Sequence, residues 1–375
     1  MRKLLLTTIL LFGFVSIKVN ALEISALSAV LYEPVTGRVI FQKNSNIRLP
    51  MASTTKIATC ITAIENGNLS DVATVSKNAD NTEGSSVWLE TGEMMSLENL
   101  LYGLMLSSGN DAAVAIAEHI SGNTEEFSKL MNEVAFKAGA KNTNFTNPSG
   151  LDIENHYTTA EDLAKITAYA LNNSKFREIV STKEKNIPWQ GHEWDRKLKN
   201  HNKLLSMYDG CDGVKTGFTK KSGRCLVSTA LRNGIRLIAV TLKAPDDWND
   251  HVKMLDYGFS LLSTCRVTEK GREHGSISVL NGIKPKIKCI SENDYTIPKL
   301  FNDKIDINNV IATSVEAPVK EGSVIGYTDV TLNGKKIKRI NLITGEECEK
   351  KFIPTFEYYT KLLLNFMFKN KNDIL

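Results

Sequence analysis

Three short stretches of the chain bring together residue types that could do covalent chemistry. In Ser53-Thr54-Thr55-Lys56 a hydroxyl and an amine stand three residues apart, and the apolar spacing from Ser53 to Ala63 predicts that they open a helix. At that spacing both side chains share one face, so an unprotonated Lys56 could take the proton of Ser53 and make its oxygen a nucleophile. Taken singly, a serine cap followed by a solvated lysine explains the same four residues. Ser108-Gly109-Asn110 falls between two stretches of helical spacing, Ser96 to Leu106 and Ala112 to Ile120. There Ser108 could relay a proton to a leaving amine, and Asn110 could hold Lys56 and a substrate backbone; the same residues also suit a plain interhelical turn. Lys215-Thr216-Gly217 lies on a predicted strand, with one face left unencumbered at Gly217. An extended peptide could dock there, its carboxylate toward the Lys215 charge and the Thr216 hydroxyl, although an ordinary strand lysine reads the same way.

These residues need elements to hold them. From Ile24 to Ile40 apolar and polar residues alternate about Glu33-Pro34-Val35-Thr36-Gly37, which predicts an antiparallel hairpin. Thr158-Thr159-Ala160-Glu161 has the form of a capping box and predicts a helix to about Leu171. Gly213 to Thr219, Cys225 to Leu231 and Arg236 to Leu242 predict a three-strand meander, and a helix from about Asp247 to Leu262 closes the unit. With the first meander turn centred between Lys221 and Ser222, Cys225 falls opposite Phe218 and Cys211 opposite Arg232, too far apart for a disulfide. Short apolar runs between Ile277 and Leu342, broken by Gly, Pro and Asn, predict a small all-β domain. After Pro354, the residues Phe356, Tyr359, Leu363 and Phe366 recur at helical spacing beside Lys361, Lys369 and Lys371. That segment is too short to cross a bilayer and amphipathic enough to lie on one; packing on the β domain is its other use.

At 375 residues, with 42% hydrophobic and 23% charged residues, the chain is long enough for two or three domains. Arg2 and Lys3 before the apolar run Leu4 to Ile17, then Val19-Asn20-Ala21, read as a signal peptide, so the mature chain is expected to begin near Leu22. Loss of Arg2, Lys3 and Lys18 lowers the formal charge from +4 to +1, which gives no argument for nucleic acid. The six cysteines lack CxxC spacing and the six histidines lack HxxxH spacing, so no metal or cofactor is expected, while export would permit a disulfide. The expected divisions are 1–21 signal peptide, 22–264 catalytic domain, 265–352 β-rich domain and 353–375 membrane-associating tail.

What separates chemistry from coincidence is the joint order S-x-x-K, S-x-N, K-T-G, each in the context its role requires. In this the sequence resembles the penicilloyl serine transferases. The wider stretches Leu49-Pro50-Met51-Ala52-Ser53-Thr54-Thr55-Lys56, Leu106-Ser107-Ser108-Gly109-Asn110-Asp111-Ala112 and Asp212-Gly213-Val214-Lys215-Thr216-Gly217-Phe218-Thr219 are more similar still to the D-alanyl-D-alanine carboxypeptidases, low-molecular-weight penicillin-binding proteins. The resemblance covers Leu22 to about Leu262, and the later segments match that family's layout. It implies an α/β fold of the transpeptidase type, an antiparallel sheet flanked by helices with a helical lobe holding Ser108, then a small all-β domain and an amphipathic helix.

The same resemblance implies that Ser53 is acylated with loss of the terminal D-alanine of a peptidoglycan pentapeptide, that water then frees the shortened peptide, and that β-lactams bind covalently. Lys56 would be the base, and the amides of Ser53 and Phe218 the oxyanion hole. Catalysis would rest on Ser53, Lys56 and Ser108, and substrate binding on Asn110, Lys215, Thr216, Gly217 and Phe218. For Lys56 to be neutral near pH 7 its amine must be desolvated and near another cation, for which Lys215 is the candidate. The implied address is outside the cytoplasm, at the outer face of its membrane or in the wall. Two positions depart from the pattern: many relatives carry histidine at Ser149, and some carry arginine where this chain reads Asp246-Asp247-Trp248. A class A β-lactamase shares two of the motifs but reads S-D-N at the second and supplies an E-x-x-L-N glutamate not found here. A noncatalytic peptidoglycan-binding protein would need neither Ser53 nor Lys56.

Overall fold

The computed structural model describes residues 22–352, 354 and 356–369; the expected signal segment lies outside them. Five antiparallel strands form the central sheet, in the order Arg38–Lys43, Ser28–Glu33, Ile235–Leu242, Gly223–Arg232, Cys211–Thr219. Its inner strands are near-continuous apolar runs because both faces are covered. Alternation along them divides two cores. Val30, Val227, Ile238 and Val240 point to one side, against Ile57, Ile61, Leu163 and Ile166 of the helices Lys56–Asn66 and Ala160–Ala170. Leu31, Leu226, Leu237 and Ala239 point to the other, against Met254 and Leu255 of the helix Asp247–Leu261. The helical lobe is built on Leu97–Leu106 and Asn110–Ser121, which break at Ser107 to Gly109.

Two expectations shift by one residue. The helix Ala160–Ala170 is capped by Thr159, whose hydroxyl accepts from the Asp162 amide at 3.0 Å, and not by Thr158. Thr158 is already committed to a bridge with Leu49, exchanging both backbone hydrogen bonds, and Glu161 pairs with Lys165 instead of closing a box. In the meander Thr219 pairs with Gly223 and Gly217 with Cys225, so the turn is the three residues Lys220 to Ser222, not two. The Ser222 hydroxyl accepts from the Thr219 amide and Gly223 takes φ +66°, which fixes that turn. Cys225 therefore faces Gly217, and Cys211 faces Ala230 beyond a bulge. The six cysteines of the described residues are unbonded.

From Ser263 to Thr344 the chain is β-structure. A six-stranded sheet runs Ile305–Ile311, Val324–Leu332, Lys335–Thr344, Lys286–Ser291, Glu273–Leu280, Ser314–Glu316, and Ser263–Thr268 pairs with Tyr295–Lys299. This last pair carries no apolar alternation, and its first strand runs across the expected division at residue 264. Arg38 on the first hairpin bonds Asp303 and the Pro298 carbonyl, tying the two units together. The helix Phe356–Lys369 leaves Phe356, Tyr359, Leu363 and Phe366 exposed. No helix among the described residues is long and apolar enough to cross a membrane.

Candidate active site

Ser53 lies on a 3-10 turn, Ala52–Thr55, that feeds the α-helix Lys56–Asn66. In 3-10 geometry residues i and i+3 eclipse, so Ser53 and Lys56 stack more directly than the expected α-turn would allow. Lys56 Nζ stands 3.0 Å from Ser53 Oγ. The turn is held by the Thr54 hydroxyl, which donates to the Met51 carbonyl at 2.6 Å, and Ala52 sits at φ +48°, a conformation alanine disfavours.

Lys56 is wholly buried, and its other partners are Asn110 Oδ1 and the Ser149 carbonyl, each at 2.6 Å. All three are uncharged. Burial, and after it the charge of Lys215, hold the Lys56 amine well below the ordinary lysine range, with Asp111 pulling weakly the other way. Lys215 is buried too, its amine donating to the Thr216 carbonyl at 3.0 Å, and burial lowers it to about 7.

Asn110 donates from Nδ2 to the Glu83 carbonyl at 2.6 Å, which turns Oδ1 toward Lys56. Next to it the buried Asp111 carboxylate accepts from the Ser86 hydroxyl and from the Val87 and Leu89 amides, pinning the loop that follows Ser85. The Ser149 contribution is its carbonyl, so the side chain at that departing position is not what meets Lys56. Its loop is packed hard on the nucleophile turn: a Cβ on Gly150, φ +88°, would fall 2.0 Å from the Ala52 carbonyl oxygen. His156 clamps the same loop. The Thr146 amide donates to its Nδ1 at 3.1 Å, so the proton sits on Nε2 and goes to the Thr55 hydroxyl at 2.8 Å. Burial lowers this imidazole to about 4.

A cleft of about 290 Å³ opens over Ser53, with Ser108, Thr216, Gly217 and Phe218 in its walls. Lys56, Asn110 and Lys215 lie behind them. Lys215 is buried beside the cleft, and Arg224, cross-strand from Phe218 and partly exposed, adds a cation to the lining. Its Nε and Nη2 donate to Asp247 Oδ1 at 2.9 and 2.7 Å. Gly217 also has a different reason from an open face. A Cβ there would stand 3.0 Å from the amide nitrogens of Ser53 and Thr54, so the glycine lets the strand run close against the nucleophile turn where a methyl group would press on it. Ser85, His201 and Arg224 line the cleft without having been singled out in the sequence, and Asp247 and Trp248 of the departing stretch Asp246-Asp247-Trp248 line it too. Asp111 was legible as the residue after Asn110, whereas the others carry no local motif.

Residues 15–246 match the family described as D-alanyl-D-alanine carboxypeptidase, and residues 263–350 match the C-terminal domain of penicillin-binding protein 5. The chain belongs to the D-alanyl-D-alanine carboxypeptidase family. It is a serine peptidase of the penicillin-binding type, and the family works through an acyl-enzyme. It is 35% identical over 352 residues to the D-alanyl-D-alanine carboxypeptidase DacF of Bacillus subtilis, covering 90% of each chain. It is 33% identical over 338 residues to DacA of Haemophilus influenzae, covering 85% of this chain and 84% of that one. Among solved structures it is similar to penicillin binding protein 5 from Haemophilus influenzae, with a TM-score of 0.65 and 31% identity over 88% of this chain and 98% of that one. It is also similar to the Streptomyces K15 DD-transpeptidase, at TM-score 0.60 and 35% identity, over 64% of this chain and 98% of the other.

Proposed function

We propose that this carboxypeptidase trims peptidoglycan pentapeptides ending in D-alanyl-D-alanine, with Ser53 as nucleophile and neutral Lys56 as its base. The observation that carries this reading is a buried amine 3.0 Å from the Ser53 hydroxyl, with only uncharged partners. In the neutral form two N–H bonds serve the Asn110 and Ser149 carbonyls, and the lone pair is left for the Ser53 proton. Oγ attacks the penultimate D-alanine carbonyl while that proton passes to Lys56. The Ser53 and Phe218 amides receive the developing oxyanion; the tight seat of Gly217 against the Ser53 amide supports this pairing. Ser108 hands a proton from Lys56 to the departing D-alanine amine, leaving the ester. Water then adds to the ester carbonyl, giving up a proton to Lys56, and Oγ recovers one as the tetrapeptide leaves.

The substrate carboxylate is held by Thr216 and the Arg224 guanidinium, while Lys215 acts at one remove by disfavouring charge on Lys56. A β-lactam presents an acyl carbon and a carboxylate in the same relation, so it acylates Ser53. The protein is exported by its first 21 residues and rests on the outer face of the cytoplasmic membrane through the apolar stripe of Phe356, Tyr359, Leu363 and Phe366. Burying those side chains at the interface contributes several kcal/mol at roughly 25 cal/mol per Å². The test is mass spectrometry of the mature protein after exposure to a fluorescent penicillin, with peptide mapping. Label on Ser53 is expected; label elsewhere, or none, overturns the mechanism.

A further inference from the structure

Two tryptophans, Trp88 and Trp194, stand out of the surface on loops joined by Arg196. Trp88 is 71% exposed and Trp194 is 63% exposed, although tryptophan rings are ordinarily tucked in. Trp88 is forced outward by its loop: the Val87 and Leu89 amides both donate to Asp111, the Trp88 amide donates to Ser86 Oγ, and the backbone at Trp88 takes φ +62°. That is a conformation bulky residues rarely adopt, so the ring is held out by its surroundings rather than by local preference. Trp194 is likewise buttressed. It packs on His192 at 5.6 Å between ring centres, His192 packs on Trp189 at 4.1 Å, and Trp189 lies under the Arg196 guanidinium. Arg196 joins the two loops, donating to the Trp88 carbonyl at 2.8 Å and to the buried Glu93 carboxylate.

Trp88 brings this aromatic shelf near the cleft. Ser85 lines the cleft, and three residues of chain put the Trp88 backbone within about 11 Å of it. With the carboxylate end of a stem peptide at Thr216 and Arg224, the four residues upstream of the scissile bond reach about 14 Å when extended, and then the sugar begins. A pyranose has apolar faces and a polar rim, which suits rigid indole rings with polar groups nearby, such as Glu90, whose carboxylate is 3.3 Å from His192 Nε2.

We infer that Trp88 and Trp194, with His192 and Trp189 behind Trp194, form a subsite for the glycan chain of peptidoglycan, the N-acetylated amino sugars that carry the stem peptide. This rests on the proposed substrate, but its test does not need catalysis. The mature protein is titrated with glycan oligosaccharides stripped of stem peptides, followed by calorimetry. Trp88→Ala/Trp194→Ala is expected to weaken binding at least tenfold, and Trp88→Phe/Trp194→Phe to restore most of it. The Ala pair should also lower kcat/KM on glycan-linked pentapeptide about tenfold while leaving free pentapeptide and the melting temperature unchanged. Equal binding by the wild type and the Ala pair, or an equal loss of activity on both substrates, overturns the subsite. Failure of Ser53 to label with penicillin overturns the catalytic reading instead.

Discussion

The two halves of the molecule handle awkward backbone and buried polarity differently. In the β domain the positive-φ residues other than glycine are Asn281, at the start of the loop after Glu273–Leu280, and Asn333, in the two-residue turn before Lys335–Thr344, and asparagine takes that conformation at little cost. Its buried polar side chains are the hydroxyls of Thr268, Ser291, Thr328 and Thr344. Around the cleft the same backbone region is occupied by Ala52, Trp88 and Ser108, which dislike it, and the buried polar groups include the titratable Lys56, Lys215, Asp111 and His156. In the β domain, then, the chain's local preferences agree with the fold. At the cleft they are overruled by packing and by long-range hydrogen bonds, as the unprotonated amine proposed for Lys56 would require.

Substitutions can break that contrast. The largest effect is expected from Lys56→Arg, since a guanidinium stays protonated: the β-lactam acylation rate should fall by about 10³-fold or more, whereas Lys284→Arg in the β domain should leave it alone. Stopped-flow acylation decides this, and near-normal labelling of the Lys56 variant removes it as base. Gly217→Ala comes next. Its methyl group would press on the Ser53 and Thr54 amides, costing about 1–3 kcal/mol and slowing acylation by one to two orders of magnitude. Gly334→Ala, at φ +79° in open space, should cost about 1 kcal/mol and no acylation. Denaturant melts with parallel labelling separate the two.

Acid should expose the contrast more gently. Burial depresses His156 to about 4 and His251 to about 3 in the folded chain, below the unfolded value of about 6.5. The unfolded state therefore binds more protons in that window. The stability these histidines contribute is fully present above pH 6.5 and is lost as pH falls toward 4 and 3, by up to about 1.4 kcal/mol per pH unit for each. Melts between pH 7 and 4.5 should show it, and His156→Gln should flatten the slope; an unchanged slope contradicts the buried neutral imidazole. The smallest effect on chemistry is expected from truncation before Pro354, which should free the protein from membranes in sedimentation yet leave cleavage of a soluble pentapeptide unchanged. Continued sedimentation with membranes makes that helix a packing element.

The three motifs, the meander, the helical lobe and the β domain were legible because each is a local pattern of spacing or turn chemistry. What escaped is set by contacts distant in sequence. The cap moved from Thr158 to Thr159 because Leu49 claims Thr158, and the strand pair Ser263–Thr268 with Tyr295–Lys299 lacks alternation to announce it. The burial of Lys215 and the presence of Arg224, which has no motif of its own, in the cleft wall follow from how the strands pack and not from local spacing. Neither the carbonyl of Ser149 nor the clamp of His156 can be seen until the 147–156 loop is folded onto the nucleophile turn.

The central claim is that Lys56 is an unprotonated amine at working pH. It is tested most directly by NMR of protein carrying 13C at lysine Cε, with the Lys56 signal assigned from the Lys56→Arg variant and followed against pH. The Lys56 resonance should titrate well below the ordinary lysine range, already neutral where acylation is fast. In Lys215→Ala it should move part of the way back up, since that change removes a neighbouring charge but not the burial. A Lys56 that titrates near 10.5, or that does not respond to the loss of Lys215, contradicts the account.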